Sequence, residues 1–188
     1  MKTTKEVIAK TIEMMGDKIA EKDKKKHEDL LVKVLEEGQC IKDVIGFDAQ
    51  TLEALYGQAY NLYKSGNYER SALLFRLLVA LNPVEYKYAM GLGASYHLLK
   101  NYHKAIEGYM LGAYLDPLDP VPFFHVADCY IQLHEARCAV FALKDTIDRC
   151  SSNAAYAKIR EKAQLMLEAI HQQIKEIDKS PLPAKKAA

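Results

Sequence analysis

The sequence has almost no net charge, no CxxC cysteine pair and no long apolar run. Its 26 Lys and Arg residues against 25 Asp and Glu leave a formal net charge of +1, whereas a general nucleic-acid binder needs a basic face that displaces counterions. Its apolar runs fall short of the roughly 18 residues that cross a bilayer, and its first residues lack the apolar core of a signal peptide. These absences predict a soluble protein that binds neither nucleic acid nor membrane and stays where it is made.

The cysteines give no indication of a disulfide framework. They are widely spaced along the chain: Cys40, Cys129, Cys138 and Cys150. In a helical protein without an export signal, thiols normally remain reduced. We therefore expect free, buried cysteines.

Two His–Cys pairs raise the question of a metal site. His125 and Cys129 are spaced at i, i+4, as are His134 and Cys138. The pairs belong to different predicted helices with a turn at His134, so ordinary core and surface positions explain them better than zinc does. The sequence also offers no carboxylate pair, no Ser-His-Asp set and no activated cysteine. It predicts no metal, no cofactor and no enzyme activity.

The central part of the chain repeats itself every 34 residues, over Leu52–Glu85, Tyr86–Asp119 and Pro120–Asn153. Small residues recur where two helices would cross closely, with aromatic and proline residues beside them: Ala59, Gly93 and Ala127; Ser71, Ala105 and Ala139; Tyr68 and Tyr102; Pro83 and Pro117. This period and order are typical of the tetratricopeptide repeat, a helix–turn–helix unit that buries its apolar stripe by stacking on its neighbours. The sequence predicts an all-α fold: three tandem tetratricopeptide repeats in a right-handed α-solenoid, with N-terminal helices and a C-terminal capping helix.

The ends of the repeat helices carry recognisable signals. Gly66 in the first turn and Asn101 in the second are residues that tolerate the left-handed backbone at a helix end. Pro83 and Pro117 follow the second helix of their repeats, where a missing N–H and the ring stop the helix. Asp48 is a candidate N-cap for the first repeat helix.

The repeats divide the chain into four parts. Residues 48–153 form the repeat domain, residues 1–47 a helical N-terminal region, residues 154–178 a capping helix, and residues 179–188 a predicted disordered tail.

The N-terminal region has one apolar face, spaced at three to four residues: Val7, Ile8, Ile12, Met15 and Ile19. An amphipathic helix buries such a face, either on the first repeat or on another copy of itself. We favour self-association, which predicts a homodimer. The basic run Lys22–Lys26 is better explained as a solvated bend or exposed helix face than as a contact patch.

The first helices of the repeats should line the inner face of a curved stack. In the first repeat three tyrosines recur at i, i+4 and i+7, on the side away from Leu55, Ala59 and Leu62. With the equivalent positions of the later repeats and a nearby lysine they form one stripe: Tyr56, Tyr60, Tyr63, Lys87, Met90, Ala94, His97, Phe124, Asp128 and Ile131. Aromatic stripes are more often core, but another set of residues already fills the core here. The stripe therefore favours a groove that takes an extended peptide.

Several runs within Asp48–Asn153 go beyond what the repeat itself requires. They are Asp48-Ala49-Gln50-Thr51-Leu52-Glu53-Ala54-Leu55-Tyr56, Ser65-Gly66-Asn67-Tyr68-Glu69, Gly91-Leu92-Gly93-Ala94, Tyr109-Met110-Leu111-Gly112-Ala113 and Pro122-Phe123-Phe124-His125-Val126-Ala127-Asp128-Cys129. In this order they resemble the class II chaperones of bacterial type III secretion, the translocator chaperones of the SycD or low-calcium-response protein H type.

This resemblance implies a cytoplasmic bacterial chaperone, without ATPase activity, that keeps hydrophobic pore-forming translocator proteins soluble and apart before secretion. In that family the concave groove takes an extended segment near the cargo's N-terminus, and the N-terminal helical region is implicated in dimer formation. Carried over by position, the groove residues are Tyr56, Tyr60, Tyr63, Phe75, Leu81, Leu92, Tyr96 and Tyr109. This chain departs from the family in its longer, Lys-rich N-terminus and its Pro/Lys tail.

The main alternative is a general tetratricopeptide-repeat scaffold or co-chaperone adaptor that captures a C-terminal carboxylate. Repeats of that kind resemble one another in placing Lys and Asn on one first helix and Lys and Arg on the next. This chain has Tyr56 and Tyr60, then Lys87 and Gly91. Since one basic residue of the set remains, the sequence favours the translocator chaperone.

Overall fold

A computed structural model of the chain describes residues 21–150 and 153–179, and within them it contains helices and no strands. The helices are α1 (Glu21–Leu35), α2 (Ile41–Val44), α3 (Ala49–Lys64), α4 (Tyr68–Leu81), α5 (Tyr86–Leu98), α6 (Tyr102–Leu115), α7 (Val121–Gln132), α8 (Ala136–Cys150), a 3₁₀ turn (Ala154–Tyr156) and α9 (Ala157–Lys179). Three antiparallel pairs, α3–α4, α5–α6 and α7–α8, stack in chain order, and α9 packs on α8. The predicted all-α repeat solenoid is confirmed.

The turns inside the repeats share one backbone conformation at one repeat position. Gly66, Lys100 and His134 have φ of 81°, 58° and 59°. The sequence correctly indicated Gly66, but it was wrong about Asn101, which is the N-cap of α6 at φ −90°. Asn67 and Asn101 each accept a hydrogen bond from the backbone N–H three residues later. The left-handed residue of the second turn is therefore Lys100, and the asparagine that follows it begins the next helix.

The predicted N-cap and the two predicted proline stops are confirmed. Asp48 accepts a hydrogen bond from the Thr51 backbone N–H at 2.7 Å and caps α3. Hydrogen bonding to the Thr51 side chain, followed by this backbone bond, holds the pKa of Asp48 below its usual value. The helices α4 and α6 end two residues before Pro83 and Pro117.

The small residues lie at the helix crossings, as the period predicted. Ala59, Ser71, Ala105, Ala127 and Ala139 are completely buried. Neighbouring crossings are linked by hydroxyls: Ser71 Oγ donates to the Ala59 carbonyl at 3.0 Å and lies 3.0 Å from Ser95 Oγ. In the second repeat the crossing brings two glycines together, since a Cβ built at Gly108 would lie 2.6 Å from the backbone nitrogen of Gly93.

The buried apolar residues form two clusters. The first core cluster joins the first repeat to the start of the second: Leu52, Ala59, Phe75, Leu78, Leu81 and Tyr88. The second core cluster joins the later repeats to α9: Ala105, Tyr109, Val126, Ala127, Cys129, Ala139, Ala142, Leu143, Ala163 and Ile170.

The flanking segments cover the two ends of the stack. Ile41 and Phe47 pack against the first core cluster, and between them the chain forms the one-turn helix α2. At the other end, Ala163 and Ile170 of α9 are buried in the second core cluster, as predicted for a capping helix. None of the helices described is both long and apolar enough to cross a membrane.

The N-terminal predictions are tested only in part. Lys25 and Lys26 are exposed on α1, which agrees with a solvated helix face. Leu35 at the end of α1 is 48% exposed, so α1 does not bury its whole apolar face on the repeats. The stripe predicted to dimerise (Val7, Ile8, Ile12, Met15 and Ile19) lies outside the described residues, as do residues 180–188 of the tail.

The cysteines are free thiols, as expected. Cys129 and Cys150 are buried, whereas Cys40 is half-buried and Cys138 is exposed. The expectation of burial was therefore wrong for Cys138, because it lies on the outer side of α8, next to the buried Ala139 that makes the crossing.

Candidate peptide-binding groove

The concave side of the stack holds a cavity of about 680 Å³. Its walls come from the first helix of every repeat, its floor from two second helices, and its C-terminal end from α9. The lining residues are Tyr56, Tyr60, Tyr63, Phe75, Tyr86, Lys87, Met90, Gly91, Ala94, His97, Leu98, Tyr109, Phe124, His125, Asp128 and Met166. Most of these side chains are aromatic or aliphatic, so the cavity suits an apolar ligand that displaces water.

The tyrosines of α3 form one wall. The rings of Tyr56 and Tyr60 stack at 6.2 Å with an interplanar angle of 17°, as the i, i+4 spacing dictates. Tyr56 is half-buried because it also contacts Phe75, at 6.0 Å between ring centroids. Tyr60 is 46% exposed. Tyr60 is therefore the aromatic side chain of this wall that a ligand can cover most fully.

Two buried aromatic rings form the floor. Phe75 and Tyr109 belong to second helices, and each is only 2% exposed. They reach the cavity because α5 carries glycines in front of them: a Cβ at Gly91 would lie 2.3 Å from the Phe75 ring, and one at Gly93 would lie 2.7 Å from the Tyr109 ring. The two glycines thus let side chains from α4 and α6 pass under α5 and line the groove.

Four residues predicted for the groove are absent from its described lining. Leu81 is 3% exposed in the first core cluster, and Leu92 packs against that cluster. Tyr96 and Ile131 pack against the second. Leu92 and Tyr96 miss the groove because of the rotation of α5 about its axis. Successive residues of a helix point about 100° apart. On α5 the groove face is the one that carries Gly91 and the residues three positions along, and Leu92 and Tyr96 lie on the next face.

Five lining residues were not predicted: Tyr86, Gly91, Leu98, His125 and Met166. Tyr86 and Leu98 continue the stripe of Met90 and Ala94 at four-residue steps, so the periodicity alone could have found them. Met166 comes from α9, outside the repeats, and no repeat position points to it.

A hydrogen-bonded polar group interrupts the apolar lining near α7. His97 Nε2 lies 3.0 Å from Asp128 Oδ2, and His97 Nδ1 lies 3.4 Å from Tyr109 Oη. The hydrogen bond from His97 holds the pKa of Asp128 below its usual value. His125 stacks on Tyr109 at 4.9 Å, and burial, followed by the charge of His97, lowers the pKa of His125.

Lys87 lies at the rim of the cavity and is held by two neighbours. Its Nζ is 2.6 Å from Glu53 Oε2 and 4.5 Å from the centre of the Tyr56 ring. The bond to Glu53 raises the pKa of Lys87. Because its charge is balanced by Glu53, Lys87 is poorly suited to clamp a terminal carboxylate.

The residues weighed for zinc do not converge. Cys129 is buried, whereas His134 and Cys138 are exposed on the turn and the outer side of α8. Within the described part of the chain, no three His, Cys, Asp or Glu side chains are placed to hold a metal ion.

Sequence comparisons agree with the repeat register. Residues 86–119, the predicted second repeat, match the family described as Tetratricopeptide repeat. Over 139 residues the chain is 32% identical to the low calcium response locus protein H of Yersinia pestis, covering 72% of this chain and 81% of that protein.

Structural comparisons point to the same group. The type III secretion translocator chaperone SycD of Yersinia enterocolitica, in an alternative dimer, matches with a TM-score of 0.63 and 32% identity over 67% of this chain and 96% of that one. The structure of PcrH in complex with the chaperone-binding region of PopD matches with a TM-score of 0.65 and 30% identity, over 68% of this chain and 96% of that one. The resemblance read from the sequence is confirmed, and the chain belongs to the family of type III secretion translocator chaperones that includes low calcium response locus protein H and SycD.

Proposed function

We propose that this protein is a cytoplasmic, non-enzymatic chaperone that holds an extended segment of a hydrophobic translocator protein in the concave groove before secretion. The observation that carries the proposal is the groove itself: a cavity of about 680 Å³ lined by aromatic and aliphatic side chains from all three repeats. Membership of the translocator chaperone family supports the same partner class.

The dimensions of the groove suit an extended chain. Neighbouring packed helices lie about 10 Å apart, so three first helices side by side span roughly 20 Å. An extended peptide rises about 3.3 Å per residue, so about six residues cross the groove. Tyrosine hydroxyls along the walls offer hydrogen bonds to the peptide backbone that this extended form leaves unpaired.

The energetics require several contacts at once. Covering the exposed half of Tyr60 contributes about 1 kcal/mol, whereas ordering a flexible cargo segment costs about 2–5 kcal/mol. One tyrosine therefore cannot hold the cargo. The combined burial of Tyr60, Met90 and Phe124, all of which line the cavity, is needed for stable binding.

We also propose self-association of this chain. Residues 7–19 carry the apolar stripe that predicts it, and the dimeric SycD structure supports a dimer as the form to expect.

Charge reversal of the aromatic wall tests the groove. Tyr60→Glu places a carboxylate among apolar walls, and we expect translocators that co-purify from the native organism to fall at least tenfold with unchanged helicity. The matched control is Tyr114→Glu, since Tyr114 is 80% exposed on α6 and absent from the groove lining. The control should retain the cargo. Equal retention by both variants would remove the groove from the proposed function.

A further inference from the structure

We propose that Asp128 gives the groove a subsite for a basic side chain, lysine or arginine, of the bound segment. This inference rests on the proposed function, because it assigns a chemical preference to one part of the same groove.

The first support is the geometry around the carboxylate. The side chain of Asp128 is 34% exposed toward the groove, and its Oδ2 lies 3.0 Å from Nε2 of the more buried His97. The same imidazole also contacts the Tyr109 hydroxyl, which lies 3.4 Å from its Nδ1. The contact with His97 thus holds the Asp128 carboxylate in place at the edge of the groove.

The second support is the charge balance of the lining. Lys87 at the rim is paired with Glu53 at 2.6 Å. His125 is half-buried beside Tyr109, and its lowered pKa keeps it neutral at pH 7. The hydrogen bond from His97 keeps Asp128 ionised at the same pH. Among the described residues that line the groove, the formal charges are therefore those of Lys87, which pairs with Glu53 outside the lining, and of Asp128, whose described partner is the His97 side chain.

A peptide bound in the groove has to compensate the negative charge of Asp128. An apolar segment laid over Asp128 would strip water from an ionised carboxylate without replacing its hydrogen bonds. An ammonium or guanidinium group restores them with charge-assisted bonds. Phe124 also lines the cavity, one turn before Asp128, and an aromatic ring at this place suits the aliphatic stem or the cation of such a side chain.

The repeat register gives the distance along the bound peptide between the Asp128 subsite and Tyr60. Asp128 occupies in the third repeat the position that Tyr60 occupies in the first, two periods of 34 residues away. Two helix spacings of about 10 Å separate them, which an extended peptide spans in about six residues. The preferred segment therefore has an apolar side chain against Tyr60 and a lysine or arginine about six residues away.

The experiment is a phage-display selection of random 12-residue peptides on the full-length protein. Selections run in parallel on wild type, Asp128→Asn, Asp128→Glu and a matched control, Asp148→Asn, whose aspartate is exposed on the second helix of the same repeat. We expect wild type, Asp128→Glu and Asp148→Asn to select apolar peptides with a basic residue at this spacing, and Asp128→Asn to lose the basic preference alone.

One selected peptide is then used to measure how much its basic residue contributes to binding. Replacing its basic residue by norleucine should weaken the Kd for wild type about tenfold, within the range of close charge pairs at interfaces, and change the Kd for Asp128→Asn less than twofold. Apolar peptides without a basic preference on wild type would overturn the subsite and leave the groove standing. Failure to select peptides whose binding depends on Tyr60 would overturn the proposed function as well.

Discussion

The crossing of α5 and α6 has no room for a side chain at Gly108, and this allows a quantitative prediction. A Cβ at Gly108 would lie 2.6 Å from the backbone nitrogen of Gly93 and 2.8 Å from its Cα, whereas ordinary Cβ contacts begin at 3.4 Å. The obstacle is backbone, which cannot rotate away as a side chain does. In Gly108→Ala the two helices have to separate by about 0.8 Å, the difference between 3.4 and 2.6 Å.

That separation disturbs the packing of Tyr109 on Gly93 as well as the crossing. Overpacking of this kind lowers the free energy of unfolding by about 3 kcal/mol. The higher helix propensity of alanine offsets about 1 kcal/mol of this loss. The net loss of about 2 kcal/mol should lower the melting temperature of a chain this size by about 4–8 °C.

A second glycine provides the matched control. Gly57 lies within α3, and a Cβ there would meet no atom within 4 Å. Gly57→Ala should therefore stabilise the chain by about 1 kcal/mol and raise the melting temperature by about 2–4 °C. The melting temperatures of both variants are measured by circular dichroism at the helical minimum. A Gly108→Ala protein that melts at or above the wild-type temperature would refute the crossing described above.

Three further predictions concern the crossings, the half-buried His125 and the N-terminal region. Ser71→Ala removes a buried hydroxyl that bonds across the first crossing, and we expect a loss of about 1 kcal/mol in urea unfolding. Burial lowers the pKa of His125, so stability should fall as pH drops through about 6.5 and level off below the folded pKa. His125→Phe keeps a ring on Tyr109 and should flatten this loss between pH 7.5 and 5.5 relative to wild type, whereas His103→Gln, at an exposed site, should not; equal slopes would contradict the assignment. Ile12→Asp should convert dimer to monomer by light scattering, and an unchanged mass would remove the N-terminal stripe from self-association.

The repeat period predicted the fold and most of the groove for a physical reason. Residues 34 positions apart meet the same environment, so small side chains at Ala59 and Ala127 identify the crossings and Tyr60 and Asp128 identify the concave face. The same logic placed Pro83 just beyond a helix end. Periodicity is strong evidence here because each repeat buries its apolar face only against its neighbours.

The groove residues that the sequence assigned wrongly or missed are those whose surroundings are not determined by their position in the repeat. Leu92 and Tyr96 are on the correct helix but face the core, because the rotation of α5 is set by the aromatic rings under Gly91 and Gly93. Met166 reaches the groove through the angle of α9, which depends on packing around Ile170 in the second core cluster. These features depend on three-dimensional packing that a single sequence does not reveal.

Site-specific photo-crosslinking in the native organism tests the central claim most directly. Benzoylphenylalanine replaces Tyr60 in one strain and Tyr114 in another, and the adducts are mapped by mass spectrometry. We predict that position 60 crosslinks to one contiguous segment of a secreted translocator and that position 114, on the outer side, does not. Crosslinks of that segment to position 114 with none at position 60 would contradict binding in the groove.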